Sequence, residues 1–181
     1  MTDSIRRRFE EAEKAKLTWD PVAGGKRAWI CFDDDKTYDL GPDPDRVRFN
    51  EIAERMTTGR YYPPDAVRFY GRFEDEWRPM RAGERVLQEA PVLGVFRAWS
   101  AVELFVVERT NDRARVGYVT TEAHHGRGIW EAELSWANGR LALRVKSTAS
   151  PRSFLFWVGL PVARYLQLRA RRRAVEVFRS L

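Results

Sequence analysis

The clearest pattern in the chain is the alternation of apolar and polar positions on either side of Asn138-Gly139. Both central residues of a type I′ turn need positive φ, and Asn-Gly supplies them, so this dipeptide predicts a two-residue hairpin. The turn sets a register. Trp136 faces Leu141, Leu134 faces Leu143 and Ala132 faces Val145, while Glu133 faces Arg144 and Glu131 faces Lys146 on the other side. One apolar face and one face of opposite charges make a half-buried antiparallel pair. Asn111-Asp112 predicts a second hairpin in which Glu108 faces Arg115 and Phe105 faces Tyr118. Both faces of this pair are apolar, so each needs a cover.

Around these hairpins the pattern changes period. Residues 3–16 read as a charged amphipathic helix, and 17–25 as a loop broken by Pro21 and Gly24-Gly25. Residues 29–40 read as extended, with Asp33-Asp34-Asp35 predicting a bulge or turn. A helix over 45–58 follows, with Val47, Ile52, Ala53 and Met56 inward and Gly59 as its stop. After Pro63-Pro64 a short strand falls at about 66–71, and 85–90 and 99–149 are strand-rich. Ser150-Pro151 reads as the N-cap and first residue of a helix running to the C-terminus. Gly159 and Pro161 are expected to bend it, because proline lacks an amide and clashes one turn back. Leu155, Gly159, Val162, Leu166, Ala170, Val177 and Leu181 share one arc, which places Arg164 and Arg171 on the solvent side. The order predicts an α+β fold in one domain over residues 1–181.

Composition narrows the class. The chain is 44% hydrophobic and 13% aromatic, with seven Trp, enough for a full core. Cys31 is the lone cysteine and sits beside Trp29, Ile30 and Phe32, which suits a buried thiol in a reducing cytoplasm. The N-terminal arginines run into Glu10 and Glu11 without the apolar core of a signal peptide. No apolar run reaches the ~20 residues of a membrane span, Phe154 to Ala163 being the longest candidate. The net charge of +6 resides in residues 151–181, where seven Arg stand against Glu176 alone. A sequence-specific nucleic-acid binder carries a basic stripe over several elements, so no specific nucleic-acid partner is expected. The run Arg169, Arg171, Arg172, Arg173 is expected to be a solvated helix face.

No catalytic or metal motif stands out. His124-His125 point to opposite faces if extended and have no third ligand at suitable spacing, so no metal and no cofactor is expected. There is no Gly-x-Ser-x-Gly elbow and no phosphate loop. Glu103, Glu122 and Glu131 form paired carboxylates only if folding gathers them.

The residues Tyr118-Val119-Thr120, His124, Gly128, Ser150-Pro151 and Gly159-Leu160-Pro161-Val162-Ala163-Arg164 resemble an uncharacterised bacterial domain-of-unknown-function family of the START-like, birch-pollen-allergen-like (SRPBCC) superfamily. Leu17-Thr18-Trp19 and Tyr38-Asp39-Leu40-Gly41 are weaker echoes. Ile129-Trp130 replaces an acidic pair of that pattern, and Glu122-Ala123 replaces its Pro-Gly turn. The resemblance implies a helix-grip fold, a curved antiparallel sheet around a long C-terminal helix with a cavity between them. In that cavity Trp130, Leu134, Trp136, Leu143 and Tyr118 would line an apolar site, and Tyr118, Thr120 and His124 would supply its polar contacts. Superfamily members include lipid carriers, hormone receptors and polyketide cyclases, so the fold leaves function open. Three readings stand: a binder of an apolar or amphipathic small molecule, a cyclase- or hydratase-type enzyme acting through Tyr118 or His124, and a protein that binds anionic surfaces through the arginine-rich helix.

Overall fold

The computed structural model describes residues 1–21, 23–25, 31–92, 96–152 and 159–181. In chain order its elements are α1 (Asp3–Glu13), β1 (Phe32–Pro42), α2 (Val47–Thr57), β2 (Arg68–Tyr70), α3 (Arg72–Asp75), β3 (Arg85–Val92), β4 (Phe96–Arg109), β5 (Arg113–Thr120), β6 (Gly126–Ala137), β7 (Arg140–Pro151) and α4 (Leu160–Ser180). The seven strands form one antiparallel sheet in the order β1-β7-β6-β5-β4-β3-β2. Helices α2 and α4 cover one face. Helix α1 covers part of the other, where Phe9 and Ala12 pack on Leu87 and Ala101. This is the helix-grip arrangement. No helix among the described residues is long and apolar enough to cross a membrane.

The β6–β7 hairpin has the register expected from its turn, with Trp136↔Leu141, Leu134↔Leu143, Ala132↔Val145, Glu133↔Arg144 and Glu131↔Lys146. Asn138 and Gly139 take φ of 51° and 73°. In the β4–β5 pair Glu108 faces Arg115, but Tyr118 faces Leu104 and not Phe105. A bulge between Leu104 and Val106 absorbs one residue. The Phe105 ring lies over Gly117, where a Cβ would come within 2.6 Å of it.

Asp43 ties the hairpin tip to α2. Its buried carboxylate accepts the Arg48 and Phe49 amides at 3.2 and 2.8 Å. Its amide donates to the Gly139 carbonyl at 2.7 Å, and its carbonyl accepts the Trp136 indole N–H at 2.8 Å. So anchored, α2 buries Phe49, Ile52, Ala53 and Met56. Val47, expected inside, is 66% exposed because that first turn directs Phe49 inward in its place.

Three further expectations are corrected. Asp33-Asp34-Asp35 lie in regular strand, and the irregularity of β1 falls between Asp39 and Gly41. Each aspartate has a cross-chain partner that suits the extended form: Thr148 for Asp33, Arg164 for Asp34 and Arg144 for Asp35. Ser150 and Pro151 do not open the last helix. They complete β7, paired with Arg127 and Gly126, where a strand end tolerates proline. Helix α4 instead begins after Gly159 with Pro161 in its first turn, so these residues start the helix rather than bend it. Leu155 lies outside the described residues, as do Trp29 and Ile30 next to the half-buried Cys31.

The face of α4 is also rotated from the expected one. Ala170, Arg171, Ala174, Val175 and Phe178 are buried, while Val162 is 43% exposed. Arg171, placed in solvent by its spacing, is 2% exposed. Its partner is Asp34 on β1, a residue the local helix period cannot see.

Candidate functional site: a cavity between the sheet and the last helix

Alternation puts Trp136, Leu134, Ala132, Trp130, Gly128 and Gly126 on one face of β6, opposite Leu141, Leu143, Val145, Ser147, Ala149 and Pro151 of β7. Near the turn these positions are large and meet α2, and Leu134, Leu141, Leu143 and Val145 are buried in a continuous core with Phe49, Ile52 and Met56. Beyond Trp130 they become small. The same occurs across β3 and β4, where Gln88 pairs with Ser100 and Ala90 with Ala98. Under the N-terminal half of α4 this leaves a cavity of about 550 Å³. Ala163, Leu166 and Ala170 border it from the helix, and Tyr62, Ala66 and Val67 from the segment before β2.

An aromatic cluster separates the packed end from the cavity. Tyr118 stacks on Trp130 with ring centroids 5.1 Å apart. Tyr61 meets the edges of Trp130 at 4.9 Å and Phe178 at 5.5 Å. Trp130, Tyr118 and Tyr62 present surfaces to the cavity, while Tyr61 lies behind them, 1% exposed. Burial pushes the Tyr118 phenol up to about 12 and raises the Tyr61 and Tyr62 phenols as well. These hydroxyls stay protonated at neutral pH and are not bases, and the buried Tyr61 hydroxyl has no hydrogen-bond partner among the described residues.

The polar groups have distinct tasks. Gln88 and Ser100 sit beside Tyr118 on the cavity floor, with the Ser100 hydroxyl 3.3 Å from Gln88 Oε1. Thr120 borders the cavity, but its hydroxyl is occupied: it accepts the Gly128 amide at 2.8 Å and lies 2.7 Å from the Thr18 hydroxyl. This contact explains the Leu17-Thr18-Trp19 signature, since Leu17 also bridges Thr121. Gly128 itself, at φ 155°, has no room for a Cβ, which would lie 1.8 Å from the Thr148 carbonyl oxygen. His124 borders the cavity and accepts the Gly126 amide at Nδ1, 2.9 Å. Burial pushes its pKa down to about 4, so the ring is neutral at pH 7. No group of three His, Cys, Asp or Glu side chains gathers among the described residues. Glu103 and Glu131 do not pair with one another: the first meets Arg85 at 3.3 Å and the second Arg115 at 2.9 Å.

One wall carries a charge cluster. Asp34 accepts both Arg164 terminal nitrogens, at 2.6 and 2.7 Å, and Arg171 Nη2 at 3.0 Å. The Arg164 hydrogen bonds, helped by those of Arg171, outweigh desolvation and hold the Asp34 carboxyl far below the usual carboxylate range. Burial acts to lower the Arg171 pKa, but its bond to Asp34 overrides this and raises it. The rest of the arginine run diverges. Arg173 is 3.6 Å from Asp65 and 3.2 Å from Glu176, and Arg172 is exposed. The run is therefore not one solvated face.

Of the seven residues expected at a ligand site, Tyr118, Thr120, His124 and Trp130 border the cavity. Leu134 and Leu143 lie in the packed core, each 0% exposed, and Trp136 fastens β6 to Asp43 under the Arg46 guanidinium. The register grouped all of these on one face correctly, but α2 fills half of that face. Gln88 and Ser100 were not anticipated. Their signal was present in the alternation Val86, Gln88, Ala90, where a polar residue falls on the inward phase of a strand.

The fold is shared with distant proteins. A hypothetical protein, jhp0584, from Helicobacter pylori superposes with a TM-score of 0.55 at 12% identity, over 90% of this chain and 91% of that one. Ara h 8.0201 gives 0.52 at 9% identity, over 83% and 97%. The di-domain ARO/CYC StfQ from the steffimycin biosynthetic pathway gives 0.53 at 9% identity, over 83% of this chain and 49% of StfQ. No curated protein matches the sequence. A family model does match, over residues 31–177, which takes in β1 and most of α4 and with them both walls of the cavity. The chain belongs to the domain of unknown function family DUF1990.

Proposed function

We propose that the protein binds an apolar or amphipathic small molecule in the cavity between the sheet and the N-terminal half of α4. The observation that carries this reading is the cavity itself. Its volume of about 550 Å³ falls within the range of ligand sites, and its floor joins aromatic and small apolar side chains to a few fixed polar groups. An unfilled apolar space of this size costs packing contacts, so its retention needs a compensating use. Trp130 and Tyr118 supply the flat apolar contact. The Tyr118 hydroxyl, Gln88 and Ser100 supply orientation. Thr120 and Gly128 shape the wall.

Filling the space tests the reading. Ala98→Trp places an indole on the cavity floor, far from the α2 core. The wild-type protein is expected to enhance the fluorescence of N-phenyl-1-naphthylamine with saturable binding. The variant is expected to lose that binding while keeping its circular dichroism spectrum. A folded variant that binds the dye like wild type, or a wild-type protein that does not bind it, overturns the proposal. Native mass spectrometry of freshly purified protein adds the identity of any retained molecule.

A further inference from the structure

The charge around the cavity is one-sided. Arg127, Arg164, Arg169 and Arg173 border it, and Asp65 is the single carboxylate among its described lining residues. Behind this lining, Asp34 is shared by two guanidiniums, so that cluster keeps one positive charge, with Arg171 2% exposed. The walls between these groups are mainly apolar. Low-dielectric walls lined by one sign of charge focus the field into the space they enclose.

The cations also differ in how far they are engaged. Arg164 is committed to Asp34 through two hydrogen bonds and reaches Gln167 Oε1 at 2.9 Å. Arg169 is exposed and makes no ion pair or hydrogen bond to another described residue. Arg173 lies one helical turn further along the same face, its side chain 45% exposed, with a loose 3.6 Å pair to Asp65 and an exposed 3.2 Å pair to Glu176 on its own helix. Trp130, on the sheet side of the same lining, is 4% exposed. The site thus runs from a buried aromatic floor to a solvated cationic edge.

From this gradient we infer that the cavity ligand is a single-chain or fused-ring amphiphile with an anionic head, a carboxylate, sulfonate or phosphate, held at the cavity edge by Arg169 and Arg173. The inference rests on the proposed binding function and names its ligand class. An anion at the edge keeps part of its hydration while its apolar body reaches Trp130 and Tyr118, which avoids the heavy cost of burying a charge. A guanidinium suits such heads because its planar donors match their oxygens two at a time. The volume suits one chain or ring system and is too small for a two-chain phospholipid, so the ligand is a free amphiphile rather than a bilayer lipid.

Two dyes of the same skeleton test this. 1-Anilinonaphthalene-8-sulfonate is N-phenyl-1-naphthylamine with a sulfonate added. The wild-type protein is expected to bind the sulfonate about tenfold more tightly, and rising salt is expected to erase the difference. Dodecanoate is expected to displace either dye better than dodecanol or dodecylamine. The exposed double variant Arg169→Gln, Arg173→Gln is expected to lose the preference and keep its affinity for the neutral dye, and Asp65→Asn to increase the preference. Equal binding of the two dyes by wild type, or a preference that survives in the double variant, overturns this inference and leaves the cavity function standing. Failure of both dyes to bind overturns the two together. Flotation of the protein with phosphatidylglycerol vesicles, without displacement of dye by dodecanoate, overturns the assignment of a free amphiphile.

Discussion

The two halves of the β6–β7 inner face make an instructive pair. They belong to the same two strands and follow the same alternation, yet one half is solid and the other encloses a cavity. At the turn end, Leu134 faces Leu143 and Ala132 faces Val145, and α2 presses Phe49, Ile52 and Met56 onto them. At the far end Trp130 faces Ser147 and Gly128 faces Ala149, and the cover is α4. Side-chain volume accounts for part of the contrast. The rest comes from how each helix is held. Asp43 brings α2 onto the hairpin tip through its short carboxylate, which accepts two α2 amides, whereas α4 is held beside the cavity by the longer side-chain bridge from Arg164 and Arg171 to Asp34. A short side chain bonded directly to helix amides gives close packing, and a bridge that spans two long arginine side chains leaves room.

The largest effect is expected where the second tether is cut. Asp34→Asn leaves two guanidiniums beside a neutral amide, and loss of one partner of a buried ion cluster costs about 3–5 kcal/mol. Urea unfolding measures it. Because the Asp34 pKa is depressed in the folded state, its stabilisation is complete above the unfolded value near 3.8 and is lost only as pH falls below it. The loss in the variant is therefore expected to be the same at pH 6 and pH 8. A loss under 1 kcal/mol would mean that the bridge does not hold α4.

Matched truncations sharpen the contrast between the halves. Leu143→Ala opens a void in the solid half and is expected to cost about 2–5 kcal/mol. Leu166→Ala borders space that already exists and is expected to cost about 1 kcal/mol or less, since fewer packing contacts are lost. Equal losses in chemical denaturation would argue that the cavity half is as tightly packed as the core. Between these in size is Gly139→Val. A β-branched residue at φ 73° is strained, and the hairpin is expected to lose about 1–3 kcal/mol.

A further modest effect is a pH dependence from the cavity half. The His124 pKa lies below its unfolded value of 6.5, so the unfolded chain takes up a proton that the folded protein refuses. Stability is full above pH 6.5 and declines as pH falls toward 4. At pH 5 the decline from this group is on the order of 1–2 kcal/mol. His124→Asn retains an oxygen acceptor for the Gly126 amide and is expected to remove that part of the acid sensitivity. A variant that loses stability with falling pH as steeply as wild type would show that His124 is not the group responsible.

Legibility in the sequence followed range. The β6–β7 register came from two adjacent residues whose turn geometry leaves one solution, and its alternation put Trp130 on the inward face, whereas Tyr118 was singled out by the resemblance. The short strand at Arg68–Tyr70 and the α2 face at Ile52, Ala53 and Met56 were equally local. Phe105 escaped the reading because a bulge depends on the room that Gly117 offers on the neighbouring strand. Leu134, Leu143 and Trp136 were grouped with the cavity because alternation tells which face a residue occupies, but not which helix covers it.

The last helix marks the boundary most sharply. Its existence and its charge were legible in the residues, but its start was read at Ser150-Pro151 rather than at Gly159. Its rotation was not legible, because hydrophobic period assigns an arginine to solvent wherever the local face is polar. Arg171 is inside because Asp34, 137 residues earlier, reaches it from the edge strand. Sequence alone determined the strands, the hairpin register and the resemblance to a family. Only the tertiary structure decided which half of the sheet is filled, which arginine is buried and which arginines are left at the cavity edge, since each depends on pairing between groups far apart in the chain.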